Sequence, residues 1–137
     1  MHSLRLQTFS VRTSTRNEML DVTDRLEKVI RSTSLLEGML IVYVPHTTAA
    51  VTINENADPD VKHDLVEKLR RLVPRDESYY RHAEGNSDSH LKTSLFGPGL
   101  TLIIDEGALV LGTWQGVFLA EWDGPRTRRV AVKVMAG

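Results

Sequence analysis

Six apolar residues in a row, Met39 to Val44, form the centre of the hydrophobic pattern. A run without a polar break predicts a strand covered on both faces. Pro45 stops it, and His46, Thr47 and Thr48 follow where that strand leaves the core. A shorter alternating segment around Val51 and Ile53 leads into Asn54, Glu55, Asn56 and Asp58. Asp58-Pro59 reads as a helix start, with an acceptor at the N-cap and a proline at the first helical position. Val61, Leu65, Leu69 and Leu72 then recur at helical spacing, widened by Val66 and Val73, which predicts an amphipathic helix over about 59–72, ended by Pro74.

Elsewhere the pattern is weaker but readable. Leu4, Leu6, Phe9 and Val11 alternate with polar residues, predicting an outer strand over 3–12 with one wet face. After a turn at 14–17 comes a short strand from Met19 to Val22. Thr23 or Asp24 then caps a helix with Glu27 completing a capping box, and Leu26, Val29 and Ile30 form its stripe. Residues 74–90 are polar and carry Tyr79 and Tyr80, a length at which a loop is usually functional or mobile. Ser87 or Asp88 caps a short helix through Leu91 and Leu95, closed by Gly97. Beyond it, Leu100–Ile104 and Ala108–Leu111 flank the hairpin signal Asp105-Glu106-Gly107. Val117–Trp122 and Arg126–Met135 complete the strands, the last with Val130, Val132 and Val134 inward and Arg129, Ala131 and Lys133 outward. Early helices and a late meander indicate one α+β domain over 1–137, with a mainly antiparallel sheet and two or three helices.

Composition narrows the chemistry. The chain has 137 residues, 41% apolar and 26% charged, enough for a real core. A net charge of -1 supplies no basic field for nucleic acid or anionic membrane. The absence of cysteine removes thiolate chemistry and leaves histidines and carboxylates as metal ligands. No stretch has the length of a signal peptide core or a membrane span, so a cytoplasmic location is expected.

Four constellations remain. His46, His82 and His90, with Glu84, Asn86 and Asp88 interleaved, are either a shared divalent-metal site or separate surface imidazoles. Asp58 and Asp60 are explained by the helix macrodipole, whereas Glu55 precedes the cap and is the better candidate for acid–base work or for holding a magnesium ion with substrate phosphates. Thr113, Trp114 and Gln115 offer a stacking face beside hydrogen-bonding groups, or else a buried Trp against a neighbouring strand. Arg126, Arg128 and Arg129 do not share one face and read as a charged strand edge, with a phosphate contact as the alternative. His2 and His63 are expected at the surface, His63 near Glu67.

The segments HTTAAVTINENADPDV (46–61), HAEGNSDSHLKTSLFG (82–97) and LGTWQGVFLAEWDGPRTRRV (111–130) together resemble the YjbQ-like family, associated with secondary thiamine-phosphate synthase activity. The resemblance implies a compact α+β domain, an antiparallel β-sheet sandwich with two or three helices, assembled as a homotrimer. It also implies a side activity that joins hydroxymethylpyrimidine diphosphate to thiazole phosphate, giving thiamine phosphate and pyrophosphate. By that resemblance the small phosphorylated substrate meets Thr47, Thr48, Asn54, Asp58, Glu84, Asn86, Thr113, Trp114 and Gln115. Glu55, His46 and His90 would be catalytic, and His46, His82 and His90 would hold a zinc or magnesium ion. The alternative is a homotrimer that binds a metal or a phosphorylated ligand without useful catalysis.

Overall fold

The computed structural model describes residues 4–137, so His2 and the first residue of the predicted 3–12 strand lie outside the described part. In chain order the elements are β1 (Gln7–Arg12), β2 (Glu18–Asp21), α1 (Thr23–Thr33), β3 (Gly38–Tyr43), β4 (Ala49–Glu55), α2 (Pro59–Leu72), α3 (Ser87–Phe96), β5 (Gly99–Asp105), β6 (Ala108–Leu109), β7 (Gln115–Glu121) and β8 (Thr127–Ala136). A five-stranded sheet has the order β1-β8-β3-β5-β6 and a three-stranded sheet the order β2-β7-β4. Every pairing is antiparallel. The α+β sandwich is the fold of this chain.

The main core lies between the sheets. Leu40 and Val42 of β3, Val130, Val132 and Val134 of β8, and Leu102 and Ile104 of β5 meet Val51 of β4, Val117 and Leu119 of β7, and Leu26 and Ile30 of α1. On the far side of the three-stranded sheet, Leu69 of α2 and Phe96 of α3 pack with Ala50, Ala120 and Trp122 in a second, smaller cluster. Burial at roughly 25 cal/mol per Å² of apolar surface drives both layers.

This layering reverses one expectation about strands. β3 is not covered on both faces: Leu40 and Val42 are buried, but Met39, Ile41 and Tyr43 are 41%, 37% and 49% exposed. Among the described residues no helix or strand lies over its outer face. The strand covered on both sides is β7, where Val117, Phe118, Leu119, Ala120, Glu121 and the following Trp122 are all fully buried. It has the core on one face and α2 and α3 on the other.

Helix starts follow local hydrogen bonding. Asp58 Oδ1 accepts from Asp60 N at 2.9 Å, and Pro59 occupies the first turn, as predicted. α1 differs: Thr23 is its first helical residue, and the Thr23 N–H and hydroxyl donate to Asp21 Oδ1 at 2.9 and 2.6 Å. Glu27 completes no capping box; its carboxylate accepts the Leu109 N–H and ties α1 to β6. The β5–β6 hairpin turns through Glu106 and Gly107, both at positive φ (52° and 77°), the pairing a tight hairpin requires.

α3 is turned opposite to its apolar pattern. Asp88, Ser89, Lys92 and Thr93 are buried, whereas Leu91 and Leu95 are 46% and 64% exposed. The inner face is polar because it meets charge: Arg16 makes two hydrogen bonds to Asp88, at 2.9 and 3.0 Å, and Lys92 Nζ donates to Asp88 Oδ2 at 3.0 Å. Ser89 Oγ donates to the Trp122 carbonyl.

Candidate functional site

β4 and β7 pair along their whole length, from Ala49 opposite Glu121 to Glu55 opposite Gln115. Six residue steps separate those ends, roughly 20 Å in extended chain. The residues proposed for one pocket divide between them.

At the Ala49–Glu121 end the chain gathers His46, Thr47, Thr48, His82, Glu84, Asn86 and His90. One cavity of about 230 Å³ is lined by Thr47, Thr48, His82, Glu84, Asn86, His90 and Arg126. A neighbouring one of about 530 Å³ is lined by Tyr43, Pro45, His46, Thr47, Thr48, Arg126 and Arg128. Thr47, Thr48 and Arg126 are common to both.

At the Glu55–Gln115 end stand Asn54, Glu55, Asp58, Thr113, Trp114 and Gln115, and they do not join the first group within one copy. Their polar atoms have local tasks. Asn54 Oδ1 accepts from Glu55 N at 2.7 Å, and Asp58 caps α2. Gln115 Oε1 accepts from Gly112 N at 2.7 Å, closing the turn that presents Trp114 at 63% exposure. Neither the shared pocket nor the buried Trp foreseen for this segment is present; the fully buried Trp is Trp122.

A buried ion pair supports the first end. Arg128 Nε donates to Glu121 Oε1 at 2.9 Å, and Arg128 Nη2 donates to the Thr48 hydroxyl and carbonyl at 2.8 and 3.1 Å. Glu121 also accepts from Thr13 Oγ1 at 2.8 Å and from Asp123 N at 3.0 Å. Arg128 is therefore not part of a solvated strand edge: β8 lies between β1 and β3, and its inward alternation buries the guanidinium. Arg126 keeps the exposed position, with Nη2 donating to Asp123 Oδ2 at 2.7 Å and its backbone N–H to Thr13 Oγ1 at 2.8 Å. Asn86 Nδ2 donates to the same Asp123 oxygen at 2.9 Å, which holds the start of α3 to the β7–β8 turn. In that turn Gly124 admits no side chain, since a Cβ would stand 2.2 Å from the Thr15 carbonyl oxygen.

The histidines are of two kinds. His82 and His90 are edge-to-face, with ring centroids 5.3 Å apart and planes at 79°. His82 Nε2 lies 3.9 Å from Glu84 Oε2. His46 is set by the backbone: Arg129 N donates to its Nε2 at 2.9 Å, so the neutral ring carries its proton on Nδ1. Burial, and then the positive charge of Arg128, hold its pKa below the usual imidazole value. Among the described residues no group of three or more His, Asp or Glu converges closely enough to hold a metal. With His46 Nε2 engaged and only His82, His90 and Glu84 near one another, one copy does not fit a three-ligand zinc or magnesium site. His63 is exposed, with Nδ1 3.0 Å from Asp64 Oδ1; Glu67, one turn on, adds its charge while bonded to Arg70 and Arg71.

The sequence reading passed over Arg16, Lys92, Glu121 and Asp123. Glu121 had a visible signal, a lone acid inside the apolar run 117–122. The rest needed the topology.

Comparison with known proteins places these features in a family. A profile of the UPF0047 protein YjbQ-like family matches residues 7–137. A UPF0047 protein of Methanocaldococcus jannaschii is 47% identical over 93% of this chain and 91% of its own length. The UPF0047 protein YugU of Bacillus subtilis is 44% identical over 95% and 98%. A crystal structure of a YjbQ/UPF0047 family protein from Clostridium acetobutylicum superposes with a TM-score of 0.92 at 44% identity, covering 94% of this chain and 99% of that one. A conserved hypothetical protein of Thermus thermophilus gives 0.88 at 42% identity, covering 94% and 99%. The chain belongs to the YjbQ-like (UPF0047) family.

Proposed function

We propose that the cleft at the Ala49–Glu121 end binds a small phosphorylated molecule. The observation that carries the reading is its donor set: the Thr47 and Thr48 hydroxyls, the Arg126 guanidinium and the imidazoles of His82 and His90 line one small cavity. Hydroxyls and a guanidinium in a confined space match the oxygens of a phosphate. Arg128 and Glu121 fix the floor, because Arg128 orients Thr48.

The reaction this supports is the one the sequence resemblance implies: transfer of a hydroxymethylpyrimidine group from its diphosphate to the ring nitrogen of thiazole phosphate. The methylene carbon–oxygen bond breaks with its electron pair leaving on pyrophosphate, and the thiazole nitrogen forms the new carbon–nitrogen bond. Arg126 would neutralise the departing charge, and His82 or His90 would assist it. Glu55 takes no part within one copy, since it stands at the far end of β4. No step is assigned to a metal.

Binding without turnover is the second reading, and the outward face of β3 bears on the assembly it implies. Met39, Ile41 and Tyr43 continue into Leu6, Ile103 and Met135, which are 63%, 61% and 42% exposed. Apolar area gathered on one sheet face is an association surface. Tyr43 belongs both to this face and to the cavity with His46, so a homotrimer packed here would border the site. No helix among the described residues is long and apolar enough to cross a membrane.

Titration calorimetry with inorganic pyrophosphate, on wild type and Arg126→Ala, tests the site. Binding weakened about tenfold in the variant is expected for loss of a charge-assisted contact. Equal binding by both proteins refutes the assignment. Turnover of the two thiamine precursors separates the enzyme from the binding protein.

A further inference from the structure

β1 ends the five-stranded sheet: β8 pairs with one of its edges, and among the described residues no strand pairs with the other. The Thr13 N–H donates to the Arg126 carbonyl across this ladder, so by antiparallel alternation Gln7, Phe9 and Val11 also bond to β8. The backbone N–H and C=O groups of Thr8, Ser10 and Arg12 therefore point away from the sheet. One of them is engaged from α1, where Arg25 Nη2 donates to the Ser10 carbonyl at 3.3 Å.

Beside this edge lies a groove of about 220 Å³, with Phe9 and Val29 among its walls and Arg25, Lys28 and Ser32 along the α1 side. The Arg25 guanidinium stands 4.4 Å from the Phe9 ring centroid, and Gln7 Nε2 donates to Ser32 Oγ at 3.4 Å. α1 thus runs alongside β1 in the opposite direction. Charge here is one-sided. β1 and β8 contain no Asp or Glu. Of the two acids of α1, Glu27 accepts the Leu109 N–H and Asp24 does not line the groove. Arg12, Arg25 and Lys28 are exposed and form no ion pair among the described residues, in a chain whose net charge is -1. Cations by themselves guard a strand edge against aggregation. An apolar-walled groove and outward N–H groups supply the two further parts of a strand-addition site, pockets for alternate side chains and a backbone ladder.

We propose that β1 receives an extended acidic segment of a partner protein as an added strand. Its backbone pairs with Thr8, Ser10 and Arg12, and alternate carboxylates meet Arg25 and Lys28. Arg25 then exchanges the Ser10 carbonyl for a carboxylate, which leaves that carbonyl to a peptide N–H. The surface shares no residue with the polar cavity of His82 and His90, so the proposal stands apart from the phosphate reading.

Fluorescence anisotropy with a labelled peptide of alternating glutamate and valine tests it, on wild type and on Arg25→Glu/Lys28→Glu. The controls are the lysine counterpart, forms of the acidic peptide N-methylated at every second residue in either register, and a single-stranded oligonucleotide. Wild type should bind the acidic peptide saturably. N-methylation in one register and the double variant should each weaken binding about tenfold or more, as expected for losing hydrogen bonds to charged or paired groups. The double variant should take the lysine peptide instead, which also shows that it is folded. Absence of saturable binding overturns the proposal. So does equal binding of both N-methylated peptides or of the oligonucleotide, which would leave a polyanion patch only. A sedimentation mass altered by the double variant would give the edge to a second copy and overturn it as well.

Discussion

The two ends of the β4–β7 ladder are made from the same pair of strands and differ in what they bury. At one end Glu121 and Arg128 are sealed inside and bonded to Thr13, Thr48 and each other, and an open polar cleft stands on them. At the other, Asn54, Gln115 and Trp114 face solvent and Glu55 is half-buried, while the Asn54 and Gln115 side chains accept from the nearby backbone N–H groups of Glu55 and Gly112. Both ends are rich in groups suited to chemistry. Only the first spends folding energy on holding charges in fixed positions, as a preorganised site requires. A list of polar residues does not distinguish the two ends; their burial does.

The largest effect should come from cutting the buried pair. Glu121→Ala leaves Arg128 enclosed without its carboxylate, and about 3–5 kcal/mol of unfolding free energy should be lost. Glu55→Ala, its counterpart on the exposed end, should stay within about 0.5 kcal/mol. Urea denaturation of the two variants measures the contrast, and similar losses would erase it.

Next comes the charge cluster under α3. Burial pushes the Asp88 carboxyl up, but hydrogen bonds from Arg16 and Lys92 outweigh it and leave its pKa below the usual value. Because the folded value lies below the unfolded one, this stabilisation is complete above about pH 4 and is lost as pH falls through the folded value. Asp88→Ala should cost about 3 kcal/mol, since Lys92 is then buried unpaired. Lys92→Met should cost clearly less, because Arg16 still pairs with Asp88. Thermal melts at neutral pH rank the two, and the opposite ranking would show that Lys92, not Asp88, holds the cluster.

A third contrast concerns β3 and β7. Tyr43→Arg charges the uncovered sheet face and should shift the sedimentation mass towards the monomer with the fold intact. An unchanged mass, or a monomeric wild type, would refute the proposed assembly through this face. The smallest effect is a titration. His46 should titrate below about 6.5 and His63 above it. Burial and nearby arginines lower the first, and the adjacent Asp64 raises the second. Nitrogen-detected NMR of the imidazoles reads both, and a protonated His46 at neutral pH would contradict the Arg129 N–H bond to its Nε2.

Much of this was legible along the chain. Periodicity located α2 to the residue, the Asp58-Pro59 start, the hairpin at Glu106-Gly107 and the inward valines of β8, because each depends on local sterics or on one alternating face. Strand ends and loops left open whether His46, His82 and His90 meet; Thr47, Thr48, His82, Glu84, Asn86 and His90 line one cavity, and His46 lines the neighbouring one. Glu55 and Trp114 do not join these residues within one copy, because sequence proximity to a strand does not say which end of it a residue occupies.

By itself the sequence determined the period of each element, the turns, and the family to which the chain belongs, since these follow from residue type and spacing. Only the tertiary structure decided that β7 rather than β3 is enclosed, that α3 turns its charged face inward, and that Arg128 meets Glu121. Those outcomes depend on which layer lies over a given face, and that is settled by contacts between residues far apart along the chain.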